Sequence, residues 1–167
     1  LVRVPVLNDT VYEASGETFT LTATNPAGTA TTTNASAVGT ATIVSEDVRP
    51  FMYIVDAPPK IEGNTITFTV ALSQTAASNI AASITYSNTA PGGMVAAASG
   101  TDYGTGTTTL TINSGSSTGT FTVTTINGGA DTDTEAFRAT LALDAANQLL
   151  ANLLDSQGYG YILDSTD

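Results

Sequence analysis

The chain contains no cysteine, no histidine and no tryptophan, and only four basic residues, Arg3, Arg49, Lys60 and Arg138. Each absence removes a class of function. Without cysteine there is no disulfide and no thiol nucleophile. Without either residue there is no zinc site of the usual kind, no haem ligand and no triad with a histidine base. Four scattered cations cannot form the basic patch that neutralises nucleic-acid phosphates. Any metal must be held by oxygen, which points to calcium- or magnesium-class ions. The net charge of −11 comes from 15 acids against four cations, with charged residues at only 11%. A shortage of positive charge sets it, not a surplus of acids. No apolar run reaches the ~18 residues of a membrane span. The chain opens at Leu1 with no signal-peptide pattern and reads as a mature or excised fragment.

What is present favours strands. Threonine is the commonest polar residue, with Gly, Ala, Ser and Val filling much of the rest. Thr and Val are β-branched and suit a pleated, half-buried surface. In Thr65 to Leu72 the apolar residues Ile66, Phe68, Val70 and Leu72 alternate with Thr65, Thr67, Thr69 and Ala71. That period of two predicts a strand with one buried face. Phe19-Leu21-Ala23, Phe121-Val123-Thr125 and Phe137-Ala139-Leu141 repeat the pattern. Turn signals separate the runs at Asn25 to Gly28, Pro58-Pro59, Pro91 to Gly93, Asn113 to Gly115 and Asn127 to Gly129. Short strands with turn-rich spacers predict an all-β, antiparallel sandwich. Asp144 to Leu154 carries four leucines and reads as a loop excursion pinned to the core by them. Tyr159 and Tyr161, two apart on the last strand, are expected to cover one sheet face.

The sequence repeats itself. Val2 to Asn8 aligns with Phe121 to Asn127, Glu17-Thr-Phe19 with Glu135-Ala-Phe137, and Gly39 to Val44 with Gly158 to Leu163. So long a period suits tandem sandwich domains rather than a solenoid. The repeat predicts a partial domain over 1–47, made of closing strands only, and a complete domain over 48–167. Closing strands alone would expose an apolar face and open edges. Either they were clipped from a longer array, or another copy's strands complete them, or they dock on the complete domain.

The acids gather near strand ends and turns: Asp9, Glu13 and Glu17; Glu46 and Asp47; Glu62; Asp102; Asp131, Asp133 and Glu135; Asp164 and Asp167. In a sandwich, alternate loops meet at one end. Clustered carboxylates repel unless protonated, paired or sharing a cation, and calcium is the economical partner. Other motifs have plainer readings. Asn8-Asp-Thr10 and Asn34-Ala-Ser36 match the glycosylation sequon, which a Thr-rich chain produces by chance. The glycines of Gly100 to Gly106 lack the lysine and following helix of a phosphate loop. Paired carboxylates could cut glycosidic bonds, but no Trp-lined sugar cleft is indicated.

These residues carry a family resemblance. "VPVLNDTVYEASGETFTLTATNP" with "GTATIVSED" resembles the second half of a Calx-beta domain. "IEGNTITFTVALS", "GTDYGTGTTTLTINSGSSTGTFTVTTIN" and "EAFRATLAL" resemble the first and middle parts of another. The resemblance implies an immunoglobulin-like sandwich that binds calcium at one end. Carried over by position, the implied ligands are Glu62, Asp102, Asp131, Asp133, Asp164 and Asp167 in the complete domain. In the partial one they are Asp9, Glu13 and Asp47, with Glu46 nearby. The pattern is interrupted: Gly128 stands where the partial domain has Asp9, and Thr132 near where it has Glu13. Neither ligand set is full. The resulting expectation is a non-enzymatic, extracellular module of a bacterial surface adhesin or fibre, stiffened by calcium. Its partners would be tandem domains or neighbouring copies. A self-assembling filament subunit with strand exchange is the alternative, and a carbohydrate-binding module a further one.

Overall fold

A computed structural model describes residues 2–24, 36–128 and 133–164. The strands are β1 (Glu17–Thr24), β2 (Ser36–Ile43), β3 (Phe51–Val55), β4 (Lys60–Ile61), β5 (Thr65–Leu72) and β6 (Ile80–Ser87). They continue as β7 (Val95–Ala96), β8 (Thr109–Ile112), β9 (Thr118–Thr124), β10 (Glu135–Ala142), β11 (Asn152–Asp155) and β12 (Gln157–Leu163). The strand predicted over Thr65 to Leu72 coincides with β5, and its Ile66, Phe68, Val70 and Leu72 are all buried.

Two sheets form the sandwich. One runs β4-β12-β10-β6-β8 with β7 beside β10, and the other β11-β3-β5-β9. Their inner faces share one apolar core, with Phe68, Val70, Phe121 and Val123 from one sheet and Ile84, Ile112, Phe137 and Leu141 from the other. Most neighbours are antiparallel. Three pairs are parallel instead: β11 with β3, β12 with β4 and β7 with β10. Each involves a strand of two to four residues on one side. Such short edge segments carry too little alternation to be legible in the sequence.

At the centre, Phe68 stacks on Phe121 at 4.9 Å between ring centroids, and Tyr103 stacks on Phe137 at 4.3 Å. Phe137 meets Phe68 edge-on at 5.9 Å. This closeness requires glycine at 160. A Cβ there would lie 2.6 Å from Phe137 Cζ and 3.0 Å from Phe68 Cζ.

Tyr86 donates its hydroxyl to the Thr107 carbonyl at 2.6 Å, and burial pushes its pKa up to about 12. Burial also raises Tyr103, which donates to Asn88 Oδ1 at 2.7 Å. A tyrosine whose pKa rises on folding stabilises the fold below its unfolded value. That stabilisation is lost as pH climbs through the folded value. Chemical denaturation should therefore show constant stability from pH 8 to 10, then a fall between pH 10 and about 12. With the discount for partial exposure the loss is about 1 kcal/mol. Tyr86→Phe should flatten most of that fall.

The leucine-rich excursion is a single 3₁₀ turn, Asn147–Leu149, followed by β11. Leu150 and Leu153 pack on the core, while Leu149 and Leu154 are exposed. Asp144 shapes the turn: its Oδ1 accepts from the Asn147 backbone N and Nδ2, both at 2.8 Å. Those bonds hold its carboxyl below the usual range. On β12, Tyr159 and Tyr161 are half-buried beside Asp56, which accepts from Tyr159 N at 2.8 Å and from the Tyr161 hydroxyl at 3.4 Å.

β1 and β2 form a separate two-stranded sheet. Its register matches that of β10 and β12. Glu17↔Ile43 recurs as Glu135↔Ile162, and Phe19↔Ala41 as Phe137↔Gly160.

Candidate metal site

Asp9, Glu13 and Asp47 come together beside the β1–β2 sheet. One carboxylate oxygen from each lies within 4.8 Å of the others. Local bonds build this. Asp9 Oδ1 accepts from Val11 N at 2.8 Å, which folds the loop back on itself. Glu13 N donates to Ser45 Oγ at 3.4 Å, tying the loop to the chain leaving β2. Asp47 sits two residues beyond that tether. Among the described residues this is the one such acidic group found.

The group lines a cleft of about 560 Å³ with Glu17, Glu46, Asn8, Ser15 and Ser45 also on its wall. No Lys or Arg lines the cleft among the described residues. Five acidic residues thus line a cleft with no cation on its wall among the described residues. The spacing can be tested against ion size. Calcium takes oxygens at about 2.3–2.6 Å, so ligands on opposite sides of one ion stand about 5 Å apart. Magnesium takes them at about 2.0–2.1 Å, which brings opposite ligands to about 4.2 Å. Three oxygens within 4.8 Å of one another can share one ion of either kind, and the all-oxygen donor set suits a hard cation such as calcium. The Asn8 and Ser45 side chains are further oxygen donors on the same wall.

In the sandwich the predicted ligands are divided. Glu62 and Asp102 converge on Gly128. Glu62 Oε2 accepts from Gly128 N at 3.0 Å. Asp102 is buried, and its Oδ2 accepts from Ala98 N at 2.6 Å. A Cβ on Gly128 would lie 3.7 Å from Asp102 Oδ1 and 3.9 Å from Glu62 Oε2. Backbone N–H groups hold these two acids, and neither belongs to a three-acid group among the described residues. Asp133 is exposed before β10 and joins no three-acid group among the described residues. Asp164 is half-buried after β12. Asp131 and Asp167 lie outside the described residues.

One feature of the site has no sequence motif. Arg49 Nη1 donates to the Gln148 carbonyl at 2.7 Å and to Asn152 Oδ1 at 3.4 Å. Its Nη2 donates to the Tyr12 hydroxyl at 3.4 Å, and its guanidinium lies 5.6 Å from the Tyr12 ring centroid. Tyr12 belongs to the loop between Asp9 and Glu13. Arg49 therefore links the acidic loop to the sandwich. Its signal was its rarity, as one of four cations in the chain. Two further bonds pin the same joint: Gln74 Nε2 donates to Val48 O at 2.6 Å, and Asn152 N to Pro50 O at 2.8 Å. Arg49→Ala should free residues 2–47 to reorient against the sandwich, seen as separate rotational correlation times in ¹⁵N relaxation. It should cost the sandwich about 1–2 kcal/mol through the lost bond to Gln148.

Comparison with known proteins places this arrangement. A family model of the Calx-beta domain matches residues 1–49 and 52–165. Among solved structures, the apo-form Calx CBD1 domain superposes with a TM-score of 0.55 at 16% identity, covering 71% of this chain and 99% of that one. A structure of titin kinase and its flanking domains aligns over 80% of this chain and 19% of that one, at 12% identity and a TM-score of 0.30. No curated protein sequence matches the chain.

Proposed function

Since the chain belongs to the Calx-beta domain family, we propose that it is a non-catalytic β-sandwich module whose acidic loop binds calcium and stiffens the joint between neighbouring domains. One observation carries this reading: the Asp9, Glu13 and Asp47 oxygens lie within 4.8 Å of one another, close enough to share one cation. Residues 1–47 are read as the closing strands of one domain and 48–167 as a complete one. The joint between them runs through Ser45 to Pro50.

The physical logic is electrostatic. Without an ion, the acids on the cleft wall repel one another. A bound cation would supply the missing positive charge and draw the Asn8–Glu13 loop and the Ser45–Asp47 segment together. Tyr12 sits in that loop against Arg49, so ordering it would firm the contact with the sandwich. Rigidity, not chemistry, is the output. The setting we propose is extracellular, where modules bind calcium at about 10⁻⁴–10⁻³ M. There the module would serve as a segment of a bacterial surface adhesin or fibre, with tandem domains of its own kind as partners. No helix among the described residues is long and apolar enough to cross a membrane.

The test is calcium titration of the intact chain against its Glu13→Gln variant. Calcium in the millimolar range should slow amide exchange over 8–13 and 44–47 in the intact chain. The variant should need at least about tenfold more calcium, because one charged ligand is gone. Equal responses from both would sink the assignment.

A further inference from the structure

The one Asn-Gly pair of the chain, Asn127-Gly128, lies where the backbone leaves β9. That exit is anchored almost residue by residue. Thr125 N and Oγ1 both donate to the Asn64 carbonyl, at 2.8 and 2.7 Å, and Ile126 N donates to the Asp102 carbonyl at 2.8 Å. Gly128 N donates to Glu62 Oε2 at 3.0 Å. Asn127 itself is exposed. Its carboxamide has no hydrogen-bond partner among the described residues, whereas those of Asn64, Asn79, Asn88, Asn147 and Asn152 are tied to neighbours.

An asparagine carboxamide is open to attack by the backbone nitrogen of the next residue. Two things hold that attack back. The next side chain crowds the approach, and the amide N–H gives up its proton reluctantly. Glycine removes the first obstacle. A carboxylate on the N–H eases the second, and the Glu62 contact lies within the reach of about 2.6–3.2 Å expected of a general base. Other asparagines lack both features. Asn113 precedes Ser114, whose N donates to the neutral Asn79 Oδ1 at 2.9 Å. Asn88 precedes Thr89, whose N donates to the Ser87 carbonyl at 2.8 Å. Both following residues carry a Cβ, and neither N–H bonds a carboxylate.

We propose that Asn127-Gly128 is a self-modification site, at which Glu62 assists the loss of ammonia from Asn127 through a cyclic imide. Gly128 N bonds to Asn127 Cγ, and the Cγ–Nδ2 bond breaks. The proton from Gly128 N passes through Glu62 to Nδ2, which leaves as ammonia. Water then opens the imide. Opening at one carbonyl gives aspartate at 127. Opening at the other gives isoaspartate, with the main chain rerouted through Cγ. No oxidant or reductant is needed. Either product adds one negative charge to a strand exit already held by Glu62 and Asp102. The step is tied to folding, because Glu62 precedes β5 and meets Gly128 only when the β4–β5 turn packs on the β9 exit. It involves none of Asp9, Glu13 and Asp47, and it is tested with chelator present.

The experiment incubates the intact chain at neutral pH in ¹⁸O-labelled water and maps its peptides by mass spectrometry. Asn127 should convert with uptake of the label, ahead of every other asparagine, and part of the product should accept isoaspartate-specific methylation. Glu62→Gln should slow the conversion by at least about tenfold. Gly128→Ala should slow it as well, and the fold has room for that change, since the nearest atom to a Cβ there is 3.7 Å away. Both variants should keep the amide-exchange protection of β5 and β9. An intact chain that leaves Asn127 unconverted overturns the proposal. So does Glu62→Gln converting as fast as the parent or faster, which would make Glu62 a restraint on Gly128 N rather than its base. If Glu62→Gln loses protection in β5, the comparison moves to the parent chain unfolded in urea, where Glu62 no longer reaches Gly128. Conversion there should be slower than in the folded chain, and faster conversion also counts against the proposal.

Discussion

Phe137→Ala should destabilise the sandwich by about 3–5 kcal/mol, the usual cost of removing a buried phenylalanine. The ring is wholly buried at the meeting point of both sheets. It stacks on Tyr103, meets Phe68 edge-on and lies 6.2 Å from Tyr86. Its removal leaves three aromatic rings facing a void that the rigid strands cannot close. The backbone adds to the effect. Gly160 has given up its side chain to admit this ring, so no cross-strand neighbour can fill the gap. A smaller change separates packing from aromaticity: Phe137→Leu should cost about 1–2 kcal/mol. Urea denaturation followed by circular dichroism measures both. A loss below about 1 kcal/mol for the alanine variant would show that the core is looser than the stacking distances imply.

Gly128→Asp should place a further carboxylate beside Glu62 and Asp102, with opposite effects in chelator and in calcium. The site has room, since the nearest atoms to a Cβ there are 3.7 Å away. Two of its neighbours are Asp102 Oδ1 and Glu62 Oε2, so the new carboxylate enters beside two existing ones. Asp102 is buried and held by Ala98 N, and cannot turn away cheaply. In chelator the variant should therefore lose about 1–2 kcal/mol to like-charge repulsion. In millimolar calcium it should recover that loss and exceed the parent, because a ligand that binds only the folded state stabilises it. Thermal melting in both conditions reads the pair of effects. A loss that calcium fails to reverse would show that Glu62 and Asp102 do not face a space an ion can share.

The sandwich was legible in the sequence where alternation was long. The strand at Thr65 to Leu72, the Phe-Leu-Ala run in β1 and the Phe-Ala-Leu run in β10 all lie where period two put them. The three parallel pairs were not legible. Two-residue strands such as Lys60–Ile61 and Val95–Ala96 have no periodicity to read, and parallel partners come from distant chain. The excursion after β10 holds a 3₁₀ turn, and only Leu150 and Leu153 of its four leucines pin it to the core. Its continuation as β11 depends on pairing with β3, which only tertiary structure supplies.

The acidic site was legible in part for a similar reason. Asp9, Glu13 and Asp47 were named from family position, and Asp9 and Glu13 share one loop. Asp47 joins them because β2 returns antiparallel to β1, and the Glu13 to Ser45 bond fixes that closure. Glu62 and Asp102 were named from family position, and backbone N–H groups are what hold them. Arg49 was invisible as a site residue, because its role rests on Tyr12, Gln148 and Asn152, brought to it by the fold.

We propose that Asp9, Glu13 and Asp47 hold one calcium ion. The most direct measurement is isothermal titration of the intact chain with calcium, repeated with magnesium and with Asp47→Asn. The account predicts saturable calcium binding with a dissociation constant of about 10⁻⁴–10⁻³ M, weaker magnesium binding, and at least a tenfold loss in the variant. Calcium binding that is absent up to 10 mM, or unchanged by Asp47→Asn, would contradict it.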